Sequence, residues 1–364
     1  MRIGIVTFHC AYNFGSALQT WALKRSVEAL GHEVRTVDYR GADFKQYKLV
    51  SLTRPKRFLS NIRNYSRNKV RRDAFESFIS EELSLTGRRY TRRTQGQMDE
   101  LAADFDCFVC GSDQIWNLDC THGPVGPYFL DFAGDARRVA YAPSLSHVRF
   151  EEDNFGPVQQ EQIAAWLSRF SAISVRERST VSLFQPLVKR PIDVCLDPTL
   201  LLGATDYEPL IRRPGGLEGS LFVYMLERND GLVRYAGRLA QKMGSDICYV
   251  SKEQLDFGVP ARNLYGIGPR EFLGVIGGCA AVVTNSFHAT VFSLLFDRPF
   301  ETFVTERSGS RMKELLESVG AESHLVDGSK VILPADVGAE FDLTSLTSQR
   351  NHSRAFLAQA LGER

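Results

Sequence analysis

The sequence lacks most of the signals that would decide its chemistry at a glance. Its seven cysteines are odd in number and scattered. The one close pair, Cys107 and Cys110, sits inside a strand pattern, FDCFVCG, with no second pair to complete a zinc site. This argues against a disulfide framework and makes a reducing cytoplasm the expected setting. No apolar run approaches the roughly 18 residues needed to span a bilayer. Met1-Arg2 leads straight into the strand pattern IGIVTF, so no signal peptide is expected. Charge of one sign is also missing: 44 Lys and Arg against 43 Asp and Glu leave +1, and no nucleic-acid partner is expected. The histidines are dispersed and no carboxylate pair stands at ligand spacing, so no metal is expected. There is no GxSxG elbow and no Walker A loop. The first loop, residues 9–16 (HCAYNFGS), holds only Gly15 where a dinucleotide fingerprint needs three glycines, and no resident cofactor is expected.

What is present is ordinary globular composition, 43% hydrophobic and 24% charged over 364 residues, a length that favours two domains. Strand patterns at 3–8, 32–38, 104–110, 138–142 and 172–175 alternate with helical ones at 16–30 and 157–170. A connector with Pro186, Pro191, Pro198, Pro209 and Pro214 follows, and a second alternation begins. Its strands are at 221–226, 246–250, 280–284 and 300–304, and its helices at 231–242, 268–277 and 310–319. The expectation is an α/β protein of two doubly wound Rossmann-like domains facing a central cleft. The domains are 1–185 and 217–340, joined by 186–216, with a last helix in 341–364 packing back on the first domain. An insertion at about 54–93 is basic. Residues 54–72 hold eight Lys or Arg and no acidic residue, with Phe58, Leu59, Ile62 and Tyr65 at helical spacing. Arg88, Arg89, Arg92 and Arg93 form a second cluster. Such a helix either rests on an anionic membrane or polyanion, or is a solvated face packed by its apolar side.

The richest stretch is VVTNSFHATVFSLLFDRP, residues 282–299. A buried parallel strand ends at Thr284-Asn285-Ser286, residue types that cap helices, and His288 falls in the first turn of the helix that follows. In open α/β sheets ligands sit outside the carboxyl ends of strands, and helix N-termini suit anions. His288 is therefore a candidate for chemistry, against the plainer reading of a capping histidine. Asp113 follows the strand at 104–110 and is either a base or an Asx turn. Arg176 follows the strand at 172–175 and either clamps a carboxylate or phosphate or pairs with Glu177. Arg311 and, less so, Arg307 are candidate anion ligands. Asn13, Gly15, Gln114 and Trp116 are expected to line the cleft on the acceptor side. One imidazole, one carboxylate and several arginines suit a transferase with an anionic donor.

The ordered motifs GIVTFHCAYNFGSALQTWALKRSVEALGHEVRTVDY, FDCFVCGSDQIWN, YFLDF, AISVRERST, DPTLL and VVTNSFHATVFSLLFDRPF resemble polysaccharide pyruvyl transferase family proteins over roughly residues 2–319. The resemblance implies the two-Rossmann-domain architecture of GT-B glycosyltransferases. It also implies transfer of a pyruvyl group from phosphoenolpyruvate to sugar hydroxyls as a cyclic ketal. His288 and Asp113 match catalytic positions, and Arg176, Arg311, Asn285 and Ser286 fall on the donor side. Ser286 stands where many members carry an arginine two residues before the histidine. Either Arg311 supplies that charge or the donor is held differently. The acceptor is expected to be a saccharide, in this setting often lipid-linked at the inner face of the cytoplasmic membrane, which gives residues 54–72 a peripheral role. A nucleotide-sugar glycosyltransferase and a non-catalytic saccharide-binding protein are the rival readings.

Overall fold

The computed structural model describes residues 1–41, 64–145, 156–304, 309–326 and 344–362. Phe58, Leu59, Ile62 and Arg307 lie outside the described residues. The chain divides into two units, the first holding the described parts of 1–48, 76–202 and 348–364, the second those of 49–75 and 203–347.

The first unit is built on β1 (Arg2–Val6), α1 (Phe14–Glu28), β2 (Glu33–Thr36), the C-terminal part of α2 (Tyr65–Glu82), β3 (Cys107–Cys110), β4 (Arg137–Ala140), α3 (Pro157–Leu167), β5 (Ala172–Val175), α4 (Arg178–Phe184) and β6 (Asp193–Val194). The strands pair in parallel in the order β2-β1-β3-β4-β5-β6. Both faces are covered, as a parallel sheet requires. Phe108 and Cys110 of β3 enter one apolar cluster, and Cys107 and Val109 enter the other. Burial pushes the Cys107 thiol up to about 12 and Cys110 well above its ordinary value, so the CxxC is core rather than ligand. Part of the Pro-rich segment belongs here: β6 pairs with β5, and Cys195 N donates to Val175 O. α1 starts at Phe14, earlier than the turn residues suggest, because the Asn13 side chain accepts from Gly15 N and Ser16 N.

The second unit repeats the plan with β7 (Leu221–Tyr224), α5 (Asp230–Met243), β8 (Ile247–Val250), β9 (Ala261–Asn263), α6 (Pro269–Gly278), β10 (Ala281–Thr284), α7 (Phe287–Leu295), β11 (Phe300–Phe303), α8 (Gly309–Ser318) and β12 (Leu325–Val326). Its parallel order is β9-β8-β7-β10-β11-β12. α5 is opened by Asn229, which accepts from Leu232 N, and closed by Gly244 at φ +64, the left-handed stop that glycine supplies. The last helix, α9 (Ser345–Ala360), sends Leu357 and Ala360 into the cluster around Ile3 and Ile5. Arg350 Nε donates to Leu200 O at 2.7 Å.

The basic stretch is described from Asn64 on. In α2, Arg67 and Arg71 lie over the Tyr265 ring at 5.4 and 5.2 Å, and Arg71 Nη1 donates to Tyr265 O. Lys69 and Arg72 pair with Asp73. In this part Arg67 and Arg71 fasten the helix to Tyr265, and Lys69 and Arg72 pair with an acid of the helix itself.

Candidate functional site

A ligand crevice forms where the strand order of an open α/β sheet reverses, because loops leave neighbouring strands in opposite directions there. In the first unit that point lies between β1 and β3. The chain after β1 carries Asn13 and, in the first turn of α1, Ser16; the loop after β3 carries Ser112 and Asp113. In the second it lies between β7 and β10; the loop after β7 carries Leu226 and Glu227, and the chain after β10 carries Asn285 and Ser286 and then His288 in the first turn of α7.

In the first unit Asp113 is buried and takes φ +74, a left-handed backbone that few non-glycine residues adopt. Its carbonyl accepts from Ser144 N at 2.8 Å. Its carboxylate accepts from Gln114 N at 2.9 Å and from Ser16 Oγ at 2.5 Å. Arg176 is buried against Asp197 at 2.6 Å and also donates to Ser112 Oγ. Asp197 in turn accepts from Thr199 N and Oγ1. The charge of Arg176 is thus met inside the unit by Asp197 of the DPTLL motif. Glu177 takes hydrogen bonds from Ser144 and Thr180. Asn13 is half-buried and caps α1, with Gly15 buried in that helix's first turn. Gln114 is half-buried and accepts from Asn117 Nδ2 at 2.9 Å. Trp116 does not line a crevice: its indole is fully buried, stacked on Phe129 at 5.2 Å and donating to Tyr128 O at 2.9 Å. An indole after a strand-end loop is apolar bulk that the core takes up.

A second polar cluster lies beyond the end of β2. Asp38 meets His9, Arg40 and Arg89, and Arg40 makes a fork to Glu76 at 2.7 and 3.0 Å. Burial alone would raise the Asp38 carboxyl, but hydrogen bonds from His9, Arg89 and Arg40 hold it well below the usual range. Tyr12 Oη donates to Glu76 at 2.8 Å. The loop carrying Asn13 is thereby anchored before it enters α1.

In the second unit Thr284 Oγ1 donates to Tyr224 O at 2.6 Å and accepts from Ser286 N at 3.0 Å, tying β10 to β7 at the reversal. Asn285 does not face a ligand. It is buried, its Oδ1 accepts from Leu226 N and its Nδ2 donates to Glu227 O, both at 2.8 Å. It shapes the loop instead. Ser286 is the N-cap of α7, accepting from Ala289 N at 3.4 Å. His288 follows in the first turn, largely buried, edge-on to Phe287 at 5.3 Å. The Arg311 guanidinium, also buried, stands 5.6 Å from the same Phe287 ring. His288 and Arg311 thus both lie against the Phe287 ring at a helix N-terminus, where an anion is favoured by amide dipoles and a cation alike. Residue patterning gave no role to Phe287, Ser16 or Asp197. The aromatic sits directly before the histidine, but only the fold brings Arg311 to it.

A family model for polysaccharide pyruvyl transferase matches residues 13–303. The chain belongs to the polysaccharide pyruvyl transferase family. That span includes Asp113, Arg176, Ser286 and His288, and Arg311 lies beyond it. A search of the curated proteins found no match. Among solved structures, the fold is similar to a UDP-GlcNAc 2-epimerase from Neisseria meningitidis bound to UDP-GlcNAc, at 9% identity, 99% of each chain and TM-score 0.51. It is also similar to S. aureus MnaA with UDP, at 9% identity, 99% of this chain, 91% of that one and TM-score 0.51. At such identity the likeness shows the fold alone, the two-Rossmann class expected from the sequence. Among the described residues, no group of three or more His, Cys, Asp or Glu could hold a metal ion. None of the described helices is long and apolar enough to cross a membrane.

Proposed function

We propose that this family member transfers a pyruvyl group from phosphoenolpyruvate to hydroxyls of a saccharide, forming a pyruvate ketal. The observation that carries the reading is the convergence of His288 and Arg311 on Phe287 at the N-terminus of α7. A donor bearing both a phosphate and a carboxylate is matched by a cation, an imidazole and helix amides at one spot. Arg311 is assigned the charge that the family arginine supplies elsewhere, and Ser286 the cap. Arg176, held by Asp197, contributes through that buried pair rather than as a lone clamp.

The chemistry asks for three proton movements, the first two of them made by the protein. An acid protonates the methylene carbon of phosphoenolpyruvate, leaving C2 electron-poor. A sugar oxygen bonds to C2 and loses its proton to a base, phosphate departs with the C–O bonding pair, and a second hydroxyl bonds to C2 and gives its proton to the departing phosphate, closing the ketal. His288 and Asp113 are assigned to the first two proton transfers, and no resident cofactor enters. The acceptor is assigned as a polysaccharide or lipid-linked precursor on the cytoplasmic side, with residues 54–72 near anionic lipid. Salt-sensitive binding to phosphatidylglycerol vesicles checks that last point.

A thermal-shift titration with phosphoenolpyruvate and, in parallel, UDP-GlcNAc tests the donor. A ligand at about 100 times its dissociation constant raises stability by roughly 2.7 kcal/mol. The expected result is a shift with phosphoenolpyruvate that disappears in Arg311→Ala. A shift with UDP-GlcNAc alone would move the assignment to a nucleotide-sugar transferase. Saccharide binding without any response to either would favour a non-catalytic binder.

A further inference from the structure

Ser16 lies outside every motif position assigned above, yet it closes a ring of hydrogen bonds around the Asp113 loop. Its Oγ donates to Asp113 Oδ2 at 2.5 Å. Its own carbonyl accepts from Gln19 Nε2 at 3.0 Å and from Thr20 Oγ1 at 2.7 Å. Gln19 Nε2 also donates to Thr7 Oγ1 at 3.0 Å, and Thr7 Oγ1 donates to Ser112 O at 2.9 Å. Ser112 is bonded to Asp113 through the chain, so the ring is complete. It runs across the reversal of the first sheet, from the end of β1 through the first turns of α1 to the end of β3. Thr7, Gln19 and Thr20 are fully buried, and Ser16 is nearly so. Side chains locked in this way hold a neighbour's geometry closely.

The loop needs such support. Asp113 sits at φ +74, a backbone state that persists only where its surroundings over-determine it. With Gln114 N on Oδ1 and Ser16 on Oδ2, the carboxylate plane is fixed from two sides. One donor comes from its own turn and the other from a different helix. The first alone would let the side chain swing with the turn.

We infer that Ser16 is a positioning residue for the transfer reaction, acting through Asp113. This rests on the assignment of Asp113 to a proton transfer. Removing the hydroxyl leaves Asp113 present but loosely aimed, so turnover falls while donor binding is kept.

The test uses the full chain as wild type, Ser16→Ala, Asp113→Asn and the double variant. Phosphate release from phosphoenolpyruvate is followed with a panel of nitrophenyl glycosides as acceptors, and each variant is melted to verify folding. Amide hydrogen exchange at Gln114 is measured alongside and needs no acceptor. Ser16→Ala is expected to lower kcat about 10-fold or more, the scale of one hydrogen bond to a charged group, with KM for phosphoenolpyruvate within about two-fold. In the Asp113→Asn background the same change has no further effect, since coupled residues are non-additive. Gln114 amide protection falls in Ser16→Ala while the melting temperature holds. Full kcat in Ser16→Ala, an additive loss in the double variant, or unchanged protection at Gln114 would each overturn the inference. An Asp113→Asn variant with full turnover, or a wild type inert toward phosphoenolpyruvate, removes the functional reading instead. The exchange measurement then still decides whether Ser16 holds the loop.

Discussion

A single carboxyl in the second unit shows how much one side chain can govern. Glu301 stands on β11 on the face that meets α5. It is only 5% exposed, with no hydrogen-bond or ion partner among the described residues. Burial pushes its carboxyl up to about 8 from 4.5. Tyr235 of α5 is the titratable neighbour, its hydroxyl likewise buried without a partner and its ionisation raised first by burial and then by Glu301. The folded unit therefore holds a proton on Glu301 that the unfolded chain releases. Stability from the neutral form is complete below pH 4.5 and is lost as pH rises to about 8, at up to roughly 1.4 kcal/mol per pH unit. Glu301→Gln keeps the shape and removes the titration. The wild type is expected to lose stability relative to this variant between pH 5 and 8, then run parallel above 8, as read by urea unfolding at several pH values. A constant difference across that range would mean the carboxyl is solvated or paired. The imidazole at α7 is a different case, since its worth lies in turnover. His288→Ala is expected to fold and bind phosphoenolpyruvate while losing about 10²–10⁴-fold in kcat. A variant with full kcat would take His288 out of the chemistry.

Among the elements, α6 shows how closely neighbouring backbones fit. A Cβ on Gly274 would stand 2.0 Å from the carbonyl oxygen of Arg212, a backbone atom that cannot swing aside. Nothing lies within 4 Å of one built on Gly278 at the same helix's end. Gly274→Ala is therefore expected to destabilise by about 1–3 kcal/mol. Gly278→Ala is expected to be neutral or to stabilise by up to about 1 kcal/mol. Equal effects in chemical denaturation would show that the Arg212 segment yields. The glycine that matters cannot be picked from the sequence, where GVIGG offers three alike. The same limit explains what was legible. β10 and α7 could be read almost to the residue, because AVVT is a buried β-branched run and Ser286 a cap, and both signals are local. The parallel alternation of β7, α5 and β8 was open for the same reason. The role of Arg176 was not, because its partner Asp197 lies 21 residues on, inside the segment that reads as a connector. Trp116 departs from the cleft-lining place its strand-end loop suggests, because its indole turns back into the aromatic cluster of Phe129, Phe170 and Phe184.

At the scale of the whole molecule, the two sheets carry the fold without covalent help. None of the seven cysteines is in a disulfide, and only Cys120 is exposed. Burial pushes the thiols of Cys107, Cys195, Cys248 and Cys279 up to about 12, and a protonated, enclosed thiol neither attacks nor is attacked. A disulfide-reactive reagent such as dithionitrobenzoate is thus expected to titrate one thiol quickly in the native protein and all seven in denaturant, with the fast phase absent from Cys120→Ser. The melting temperature should be the same with and without reductant, since there is no bridge to break. A second fast thiol would mean that one of the sheets opens on the timescale of the reaction. The residues to examine then would be Cys107 and Cys110, whose strand lies beside β1 at the reversal where the Asp113 loop is held.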